Sequence, residues 1–455
     1  MHAALHPSLS SLRPRAYSLT AAACLLAMGW GAAGSAQAQS LAALYEAAQQ
    51  HDTTVQSARA QLDAAAAKGE QAKAGLLPQA GLSAGANWSN IDTSISPASK
   101  SVNTQNIALA ASQPLYRPAN ALVSQQGQLG VDIAQSQLDA AEQDLIVRTA
   151  QAYFDVVAAQ DTLAFVQAQK KAVSEQLAAA KLNFEVGTTT VTDSREAQAR
   201  FDLVVAQEIA SGNDLQVKRL ALDQLVGTTG AQPKPLGKPV TLPAVLPAAA
   251  EDWVAKALSQ HPTVRQLNIA RDIAELEVQK AQAGHKPTLD LVGQYQIANG
   301  PNSSMPQVGN FRTNTATVGL QFNLPLFAGY AIQNRVKETL ALVAKADADR
   351  ETAVRGLSQG VRSAFYGVMS GQSQVKALEA AEASSQSALD ANLLGYQVGV
   401  RINIDVLNAQ SQLFQTKRDL AQARYNVLVG QLRLKQASGA LKPDDLKAIN
   451  ALLAP

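Results

Sequence analysis

The sequence has little charge, few aromatic residues and almost no cysteine. Charged residues make up 16% of its 455 positions and aromatic residues 5%, whereas an ordinary soluble domain has roughly 25% charged residues. Lys and Arg number 38 against 36 Asp and Glu, so no basic excess exists that would hold a nucleic acid. This composition favours long, closely packed helices over a bulky globular core.

Long apolar runs are also missing beyond the N-terminus, and the mean hydropathy is -0.06. A bundle of membrane-spanning helices is therefore excluded, because each span needs about 20 consecutive apolar residues. A membrane β-barrel is not excluded, since its strands are marked by alternation of apolar and polar residues and not by continuous hydropathy.

The N-terminus has the three parts of a secretory signal peptide. A basic start is followed by an apolar run from Leu19 to Trp30 and by the small-residue cleavage pattern Ala36-Gln37-Ala38. The single cysteine, Cys24, lies inside that apolar run, so the mature chain has no disulfide, thiol catalyst or thiolate metal ligand. The sequence predicts an exported protein whose mature chain begins near Gln39.

The mature chain contains one unit twice. From Ala152-Tyr153-Phe154 and Ala364-Phe365-Tyr366 onward the two copies match without a gap, and the same offset carries Asp193 onto Asp405. Five prolines between the copies indicate a linker. The predicted division is a signal peptide at 1–38, a first unit at 39–227, a proline-rich linker at 228–250, a second unit at 251–439 and a C-terminal tail at 440–455.

Each unit begins with a predicted helix and then changes to the period of two that marks a strand. Residues 41–74 lack proline and are rich in Ala, Gln and Leu, which indicates a helix that ends before Pro78. Apolar and polar residues then alternate in four segments, most clearly from Thr315 to Leu324. We predict four strands of about ten residues each, arranged as two hairpins. Polar segments at 90–103 and 299–312 are their predicted loops.

A long stretch without proline follows each hairpin, with apolar or small residues seven apart, as in a coiled coil. A helix from Ala119 to Val186 would span roughly 100 Å. The segment Gly187 to Thr192 breaks that helix, and a second one is predicted from Asp193 to about Val226. Two half-length helices would flank each long helix. The turns at Gly187 and Gly399 would then lie at one far tip, with the hairpins at the opposite end.

Strands of this length match the thickness of a bilayer at the usual tilt. Four of them cannot close a barrel, and open edges in lipid leave backbone groups unpaired. Two copies would give eight strands around a filled interior, and three would give twelve strands around an open bore. The small, polar alternate residues favour the open bore. Candidates for the aromatic girdles are Trp88, Tyr295, Phe322 and Phe327.

Three segments of the mature chain are distinctive: GYQVGVRINIDVLN at 395–408, ARYN at 423–426 and GALKPDDL at 439–446. They resemble the TolC family of outer-membrane efflux and type I secretion channels. The similarity extends over essentially the whole mature chain. It implies a mainly α fold with a membrane β-barrel contribution, in which four strands per chain form a 12-stranded trimeric barrel and long coiled-coil helices form an α-barrel.

The resemblance also implies a location, partners and site residues. The location is the outer membrane of a Gram-negative bacterium, in contact with its lipid and reaching into the periplasm. The implied partners are two further copies in a homotrimer, a periplasmic adaptor and an inner-membrane pump. Asp405 would form a carboxylate ring at the periplasmic entrance. The entrance latch would consist of Thr192, Asp193, Tyr396 and Arg401, and the adaptor would dock on the tip turns at Gly187, Thr188, Gly399 and Val400.

The chain departs from the family pattern at Asn408, where a second carboxylate is common. Three entrance carboxylates in place of six should select cations less strongly. We expect Arg401 to pair with Asp193, within or between copies, to hold the tip shut. The alternative for Asp193 is a helix cap, because it follows a run of threonines at a predicted helix start.

Two other functions compete with the channel. Gly81 to Gly85 fits the Gly-x-Ser-x-Gly pattern of serine hydrolases but lies inside an alternating strand, so we predict no catalytic residue there. The mature histidines His51, His261 and His285 lack metal-ligand spacing, and no metal or cofactor is predicted. A soluble periplasmic coiled-coil adaptor would share the signal peptide and heptads but lack the membrane-length strands. Drugs and secreted proteins both stay open as cargo.

Overall fold

We describe the chain from a computed structural model. It covers residues 39–454, except 94–95, 238 and 302–309. The predicted signal peptide and Cys24 lie outside the described residues, as do parts of the two predicted hairpin loops.

The same order of elements occurs twice along the chain. Two short helices lead into two strands, which are followed by one long helix and one of half that length; a short helix ends the chain. The elements are α1 Leu41–His51, α2 Thr53–Lys73, β1 Gln79–Thr93, β2 Ser96–Tyr116, α3 Pro118–Glu185, α4 Val191–Val226, α5 Ala250–Gln260, α6 Pro262–Ala283, β3 Thr288–Pro301, β4 Asn310–Asn323, α7 Ala331–Gln397, α8 Asn403–Ala437 and α9 Asp445–Asn450.

The long helices have the predicted length. Helix α3 contains 68 residues and α7 contains 67, so each spans roughly 100 Å. Pro118 occupies the first turn of α3, where its missing N–H costs no hydrogen bond. The predicted ends at Ala119 and Val186 are confirmed to within one residue. In the described part of the chain, no helix combines enough length and hydropathy to cross a membrane.

The prediction of one continuous helix at 41–74 is wrong at Asp52. This residue has extended backbone angles and ends α1, and its carboxylate accepts a hydrogen bond of 2.9 Å from the Val55 N–H, which caps α2. The second carboxylate oxygen accepts from Arg148 of α3 at 2.9 Å. An aspartate that caps and pairs in this way stabilises the break, although the surrounding composition favours a helix.

The helices form one layer around the long helices. Helices α2 and α4 both pack along α3, which contacts α6 and α8 on its other side, and α6 and α8 in turn pack along α7. The largest part of the core lies at mid-length, where Tyr153 and Phe154 of α3 meet Leu428 and Leu432 of α8. The linker is fastened there, because the Tyr153 hydroxyl donates to the carbonyl of Lys234 at 2.8 Å.

The four strands form a single antiparallel sheet in the order β1-β2-β3-β4. They contain 15, 21, 14 and 14 residues, which is longer than predicted. Most of segment 90–103 is strand and not loop, and so are residues 299–301 and 310–312 of the second segment. Their Asn, Ser and Thr residues indicate loops by composition, yet the backbone continues the ladder, with Trp88 opposite Asn103 and Asn299 opposite Arg312.

Candidate functional site

The sheet has one apolar and one polar face. In register across the strands, Leu82 lies opposite Leu109, which lies opposite Tyr295. The apolar residues are exposed in the single chain, for example Leu82 at 75% and Val318 at 81%. The opposite face carries Ser83, Asn106, Gln294, Gln296, Thr315, Thr317 and Gln321. A sheet with a wide exposed apolar face that no described part of its own chain covers needs another apolar medium or partner.

Aromatic residues mark two levels of the apolar face. Phe322 is opposite Leu289 near the helices, and Trp88 is opposite Asn103 toward the loops. From Leu289 the distance is two residues along β3 to Leu291, which pairs with Gln113, and then ten residues along β2 to Asn103. Together these twelve residues span about 40 Å along the strands. At a tilt of about 45° this corresponds to roughly 30 Å, close to the thickness of a bilayer core. Tyr295 lies between the levels, so it does not fit the predicted girdles.

An ion pair joins the sheet to the helices. Arg117 ends the link between β2 and α3, and its Nε and Nη2 atoms donate to the two carboxylate oxygens of Asp290 in β3 at 2.8 and 2.6 Å. The Asp290 side chain is 7% exposed and that of Arg117 is 45% exposed. This bidentate contact fixes the direction of α3 relative to the sheet.

A second charged cluster joins helices α3, α6 and α7 on the helical side of this junction. Glu277 of α6 accepts from Gln126 of α3 and from Arg335 of α7, and also contacts Lys280. Burial would raise the pKa of Glu277, but these hydrogen bonds and the nearby positive charges lower it to about 2. The Glu277 carboxylate therefore stays ionised and keeps the three helices joined at any physiological pH.

The far end of the helices, which we call the tip, consists of two similar turns. Gly187 follows α3 and Gly399 follows α7, with φ of 79° and 78°. Both lie in the left-handed region that favours glycine, and the following N–H groups bond back to the helix ends, as in the Thr188 N–H bond to Asn183 at 2.9 Å. Thr188 and Val400 are exposed in these turns. The two turns are neighbours, because Asn183 Nδ2 donates to the Tyr396 hydroxyl at 3.2 Å.

Asp193 caps its own helix in the single chain. Its N–H donates to the Thr190 Oγ1 at 3.3 Å, and the Thr190 N–H donates to the Asp193 Oδ2 at 3.1 Å, which together form a capping box. Thr192 lies beside it with an exposed side chain. The cap engages the Asp193 Oδ2, and within one chain Arg401 lies beside Asp405 and not beside Asp193. Pairing between copies stays a prediction.

Arg401 lies next to Asp405 at the start of α8. The Arg401 Nη1 is 3.7 Å from the Asp405 Oδ2, and the two side chains are 59% and 34% exposed. A pair this long and this exposed contributes less than about 1 kcal/mol, so a neighbouring molecule can replace either partner. Asp405 lies in the first helical turn, where the helix dipole favours a negative charge.

Three side-chain hydrogen bonds join the α3–α4 hairpin to the α7–α8 hairpin near the tip. They link Asn183 to Tyr396, Gln176 to Asn403 and Arg200 to Asn408, the last at 2.8 Å. Of these residues, only Tyr396 was predicted to hold the tip. The Asn408 side-chain oxygen accepts from the Arg200 guanidinium. Gln176 and Asn183 are spaced seven residues apart on α3, and this polar heptad was the signal in the sequence that could have identified them.

The residues of the rival functions lie apart from the tip. Ser83 lies in the middle of β1 and not at a strand-to-helix turn. His261 caps α6 by accepting the Thr263 N–H at 3.2 Å, and burial lowers the pKa of its imidazole. Among the described residues, no three His, Cys, Asp or Glu side chains gather into a group that would hold a metal ion.

Known proteins share both the sequence and the fold. The family model for outer membrane efflux proteins matches residues 44–228 and 253–440. The chain is 32% identical to the outer membrane protein TolC of Vibrio cholerae over 91% of its length and 94% of that protein. It is 30% identical to the proteases secretion protein PrtF of Dickeya chrysanthemi over 92% of each chain.

Solved structures give the same fold at lower identity. The outer membrane protein VceC of Vibrio cholerae superposes with a TM-score of 0.74 at 20% identity, covering 88% of this chain and 96% of that one. The fold is thus a mainly helical one with a four-stranded antiparallel sheet, as in outer-membrane channels. The chain belongs to the outer membrane efflux protein family, and it is an outer-membrane exit duct for efflux or secretion.

Proposed function

We propose that three copies of this chain close into one duct. The proposal rests on one observation: the sheet and the helical layer each have two edges without a neighbour, and these edges lie on the same two sides of the chain. Strands β1 and β4 are the edges of the sheet, α2 and α4 form one edge of the helical layer, and α7 forms the other. Pairing β4 of one copy with β1 of the next would place α7 beside the next copy's α2 and α4. One rotation thus closes both layers.

The number three follows from the character of the inner face. Twelve strands leave an open bore, whereas eight are filled by their own side chains. The polar face, with its Gln, Ser, Asn and Thr residues, would line water, and the exposed apolar face would contact lipid. The helices would continue the bore as a tunnel of roughly 100 Å into the periplasm.

The tip is the proposed gate. Asp405 of three copies would form a ring at the entrance. Arg401 and Tyr396 of one copy would bond across to Thr192 and Asp193 of the next to hold the entrance narrow. The exposure and length of the Arg401–Asp405 pair support this, because Arg401 can change partner at low cost. A few charge-assisted bonds can bias a two-state closure without locking it.

The tip turns are the proposed docking surface for a periplasmic adaptor, which would connect the duct to an inner-membrane pump. Val186, Val398 and Val400 are 64%, 66% and 76% exposed around Gly187, Thr188 and Gly399. Small and apolar residues on two neighbouring turns suit insertion of a partner's helical tip. We propose that the chain itself performs no catalysis and that drugs or secreted proteins pass through it.

Membrane fractionation and conductance test the proposal together. We expect a heat-modifiable trimer in the outer-membrane fraction and discrete conductance steps when the purified protein is added to planar bilayers. Recovery of the protein in the soluble periplasm, without channel activity, would favour the adaptor alternative. Trimers that produce no conductance would agree with the proposed assembly but contradict the proposed function as an open duct.

A further inference from the structure

Helices α3 and α8 keep one antiparallel register over a long distance. The rings of Phe154 and Tyr425 stack with centroids 5.5 Å apart, and nearer the tip Gln176 bonds to Asn403. Both steps, from Phe154 to Gln176 and from Tyr425 back to Asn403, are 22 residues. The register is therefore constant, and it places Gln169 opposite Gln410, one heptad above the Gln176–Asn403 pair.

These four amide side chains, which we call the amide ladder, are buried without full hydrogen bonding. Gln169, Gln176, Asn403 and Gln410 are only 2%, 8%, 2% and 6% exposed. The Oε1 atoms of Gln169 and Gln410 and the Nδ2 atom of Asn403 have no hydrogen-bond partner. A buried polar atom without a partner loses its hydrogen bonds to water and gains no hydrogen bond within the protein, which destabilises the folded state. The ladder therefore weakens this part of the helix interface.

The upper part of the same interface is more apolar, although the buried Thr149 Oγ1 of α3 also lacks a hydrogen-bond partner there. Around Phe154 and Tyr425 it is filled by fully buried apolar side chains, including Leu145, Leu428 and Leu432. The Tyr425 hydroxyl also bonds to Asp161. The contact between the two hairpins thus has its largest apolar core at mid-length. Toward the tip a smaller apolar cluster, which contains Leu407 with Val173 and Leu177, shares the interface with the buried amides.

We propose that the amide ladder makes the lower α3–α8 interface the part that yields when the tip opens, with the Phe154–Tyr425 stack as its fixed upper end. This rests on the proposed gating at the tip. Opening would expose the Oε1 atoms of Gln169 and Gln410 and the Nδ2 atom of Asn403 to water. Hydration of these three atoms would offset part of the free energy needed to separate the helices. A closed interface of ordinary apolar residues would lack this recovery, and its separation would expose apolar surface instead.

Another role for buried amides is to fix the register of paired helices, at a cost in stability. The two roles differ in what happens when the amides are removed. If the amides act in gating, their removal should favour the closed tip. If they only hold the register, their removal should raise stability or scramble the packing but leave gating of the correctly packed channel unchanged.

The test replaces Gln169 and Gln410 with methionine, which has nearly the shape of glutamine but no amide. The matched control is Gln167→Met with Gln412→Met, exposed positions on the same two helices. Hydrogen exchange of the trimer should be faster in wild type at 166–180 and 403–413 than at 145–157 and 425–434. The Gln169→Met/Gln410→Met variant should slow the lower segments about tenfold, a factor that corresponds to about 1.4 kcal/mol.

In planar bilayers the same variant should lower the ratio of open to closed dwell times about tenfold, and the control should match wild type. Slower exchange with unchanged dwell times would overturn the proposal, and so would equal exchange of the upper and lower segments in wild type. A wild-type protein that forms no channels would refute the proposed function itself. Channels that open normally in the Gln169→Met/Gln410→Met variant would refute only this inference.

Discussion

Removal of Arg117 should loosen the junction between the sheet and the helices. Its guanidinium makes two hydrogen bonds, of 2.8 and 2.6 Å, to an Asp290 carboxylate whose side chain is only 7% exposed. In Arg117→Ala that carboxylate would stay buried and unpaired. Breaking a fully buried pair costs about 3 to 5 kcal/mol. Because Arg117 is itself 45% exposed, we expect a smaller loss, of about 2 to 3 kcal/mol per chain.

A double-mutant cycle separates the pair from its surroundings. Asp290→Asn keeps the shape and removes the charge, so in the Arg117→Ala background it should recover about 1 kcal/mol or more. The matched control is Arg355→Ala, because Arg355 forms an exposed pair with Glu351 on one helix and is 77% exposed. That change should cost less than about 0.5 kcal/mol.

The assay is thermal unfolding of the detergent-extracted protein, followed by far-ultraviolet circular dichroism at a fixed heating rate. Arg117→Ala should lower the midpoint clearly more than Arg355→Ala does, and the double variant should lie between Arg117→Ala and wild type. Equal midpoints for Arg117→Ala and Arg355→Ala, or no recovery in the double variant, would refute the account of this junction.

Three further predictions concern pH and the tip. Burial would raise the pKa of Asp52, but the Arg148 guanidinium and the Val55 N–H outweigh it and hold that pKa below its ordinary 3.8. Asp52 therefore stabilises the fold above about pH 4 and loses this effect as the pH falls further; thermal midpoints of Asp52→Asn should show a weaker acid dependence than wild type. Arg401→Ser should raise single-channel conductance in planar bilayers, and an unchanged value would remove Arg401 from the latch. Asp405→Ala should shift the reversal potential in a salt gradient toward less cation selectivity, and a potential equal to wild type would contradict the carboxylate ring.

The long helices could be predicted from the sequence because they depend on local signals. Heptad spacing, the absence of proline and Gly187 placed the ends of α3 to within one residue. The strand ends could not be placed so well. Beyond Trp88 lie Ser89, Asn90 and Thr93, residue types that indicate a loop, and their partners across the sheet hold them in the strand.

The site was harder to predict, because its contacts join residues far apart in the chain. The threonine run before Asp193 did indicate a helix cap, and the capping box with Thr190 bears out that alternative. No local pattern indicated that Arg200 would reach Asn408, since the two are separated by most of a repeat. The buried amides of α3 were visible as polar residues at heptad spacing, yet their partners became clear only from the α3–α8 register.

The central claim is that three chains close one duct, and native mass spectrometry of the protein extracted from outer membranes tests it most directly. We predict one dominant species with the mass of three mature chains, because β1 and β4 both gain a partner only in a closed ring. A dominant species of one or two chains, or a ladder of open oligomers, would contradict it.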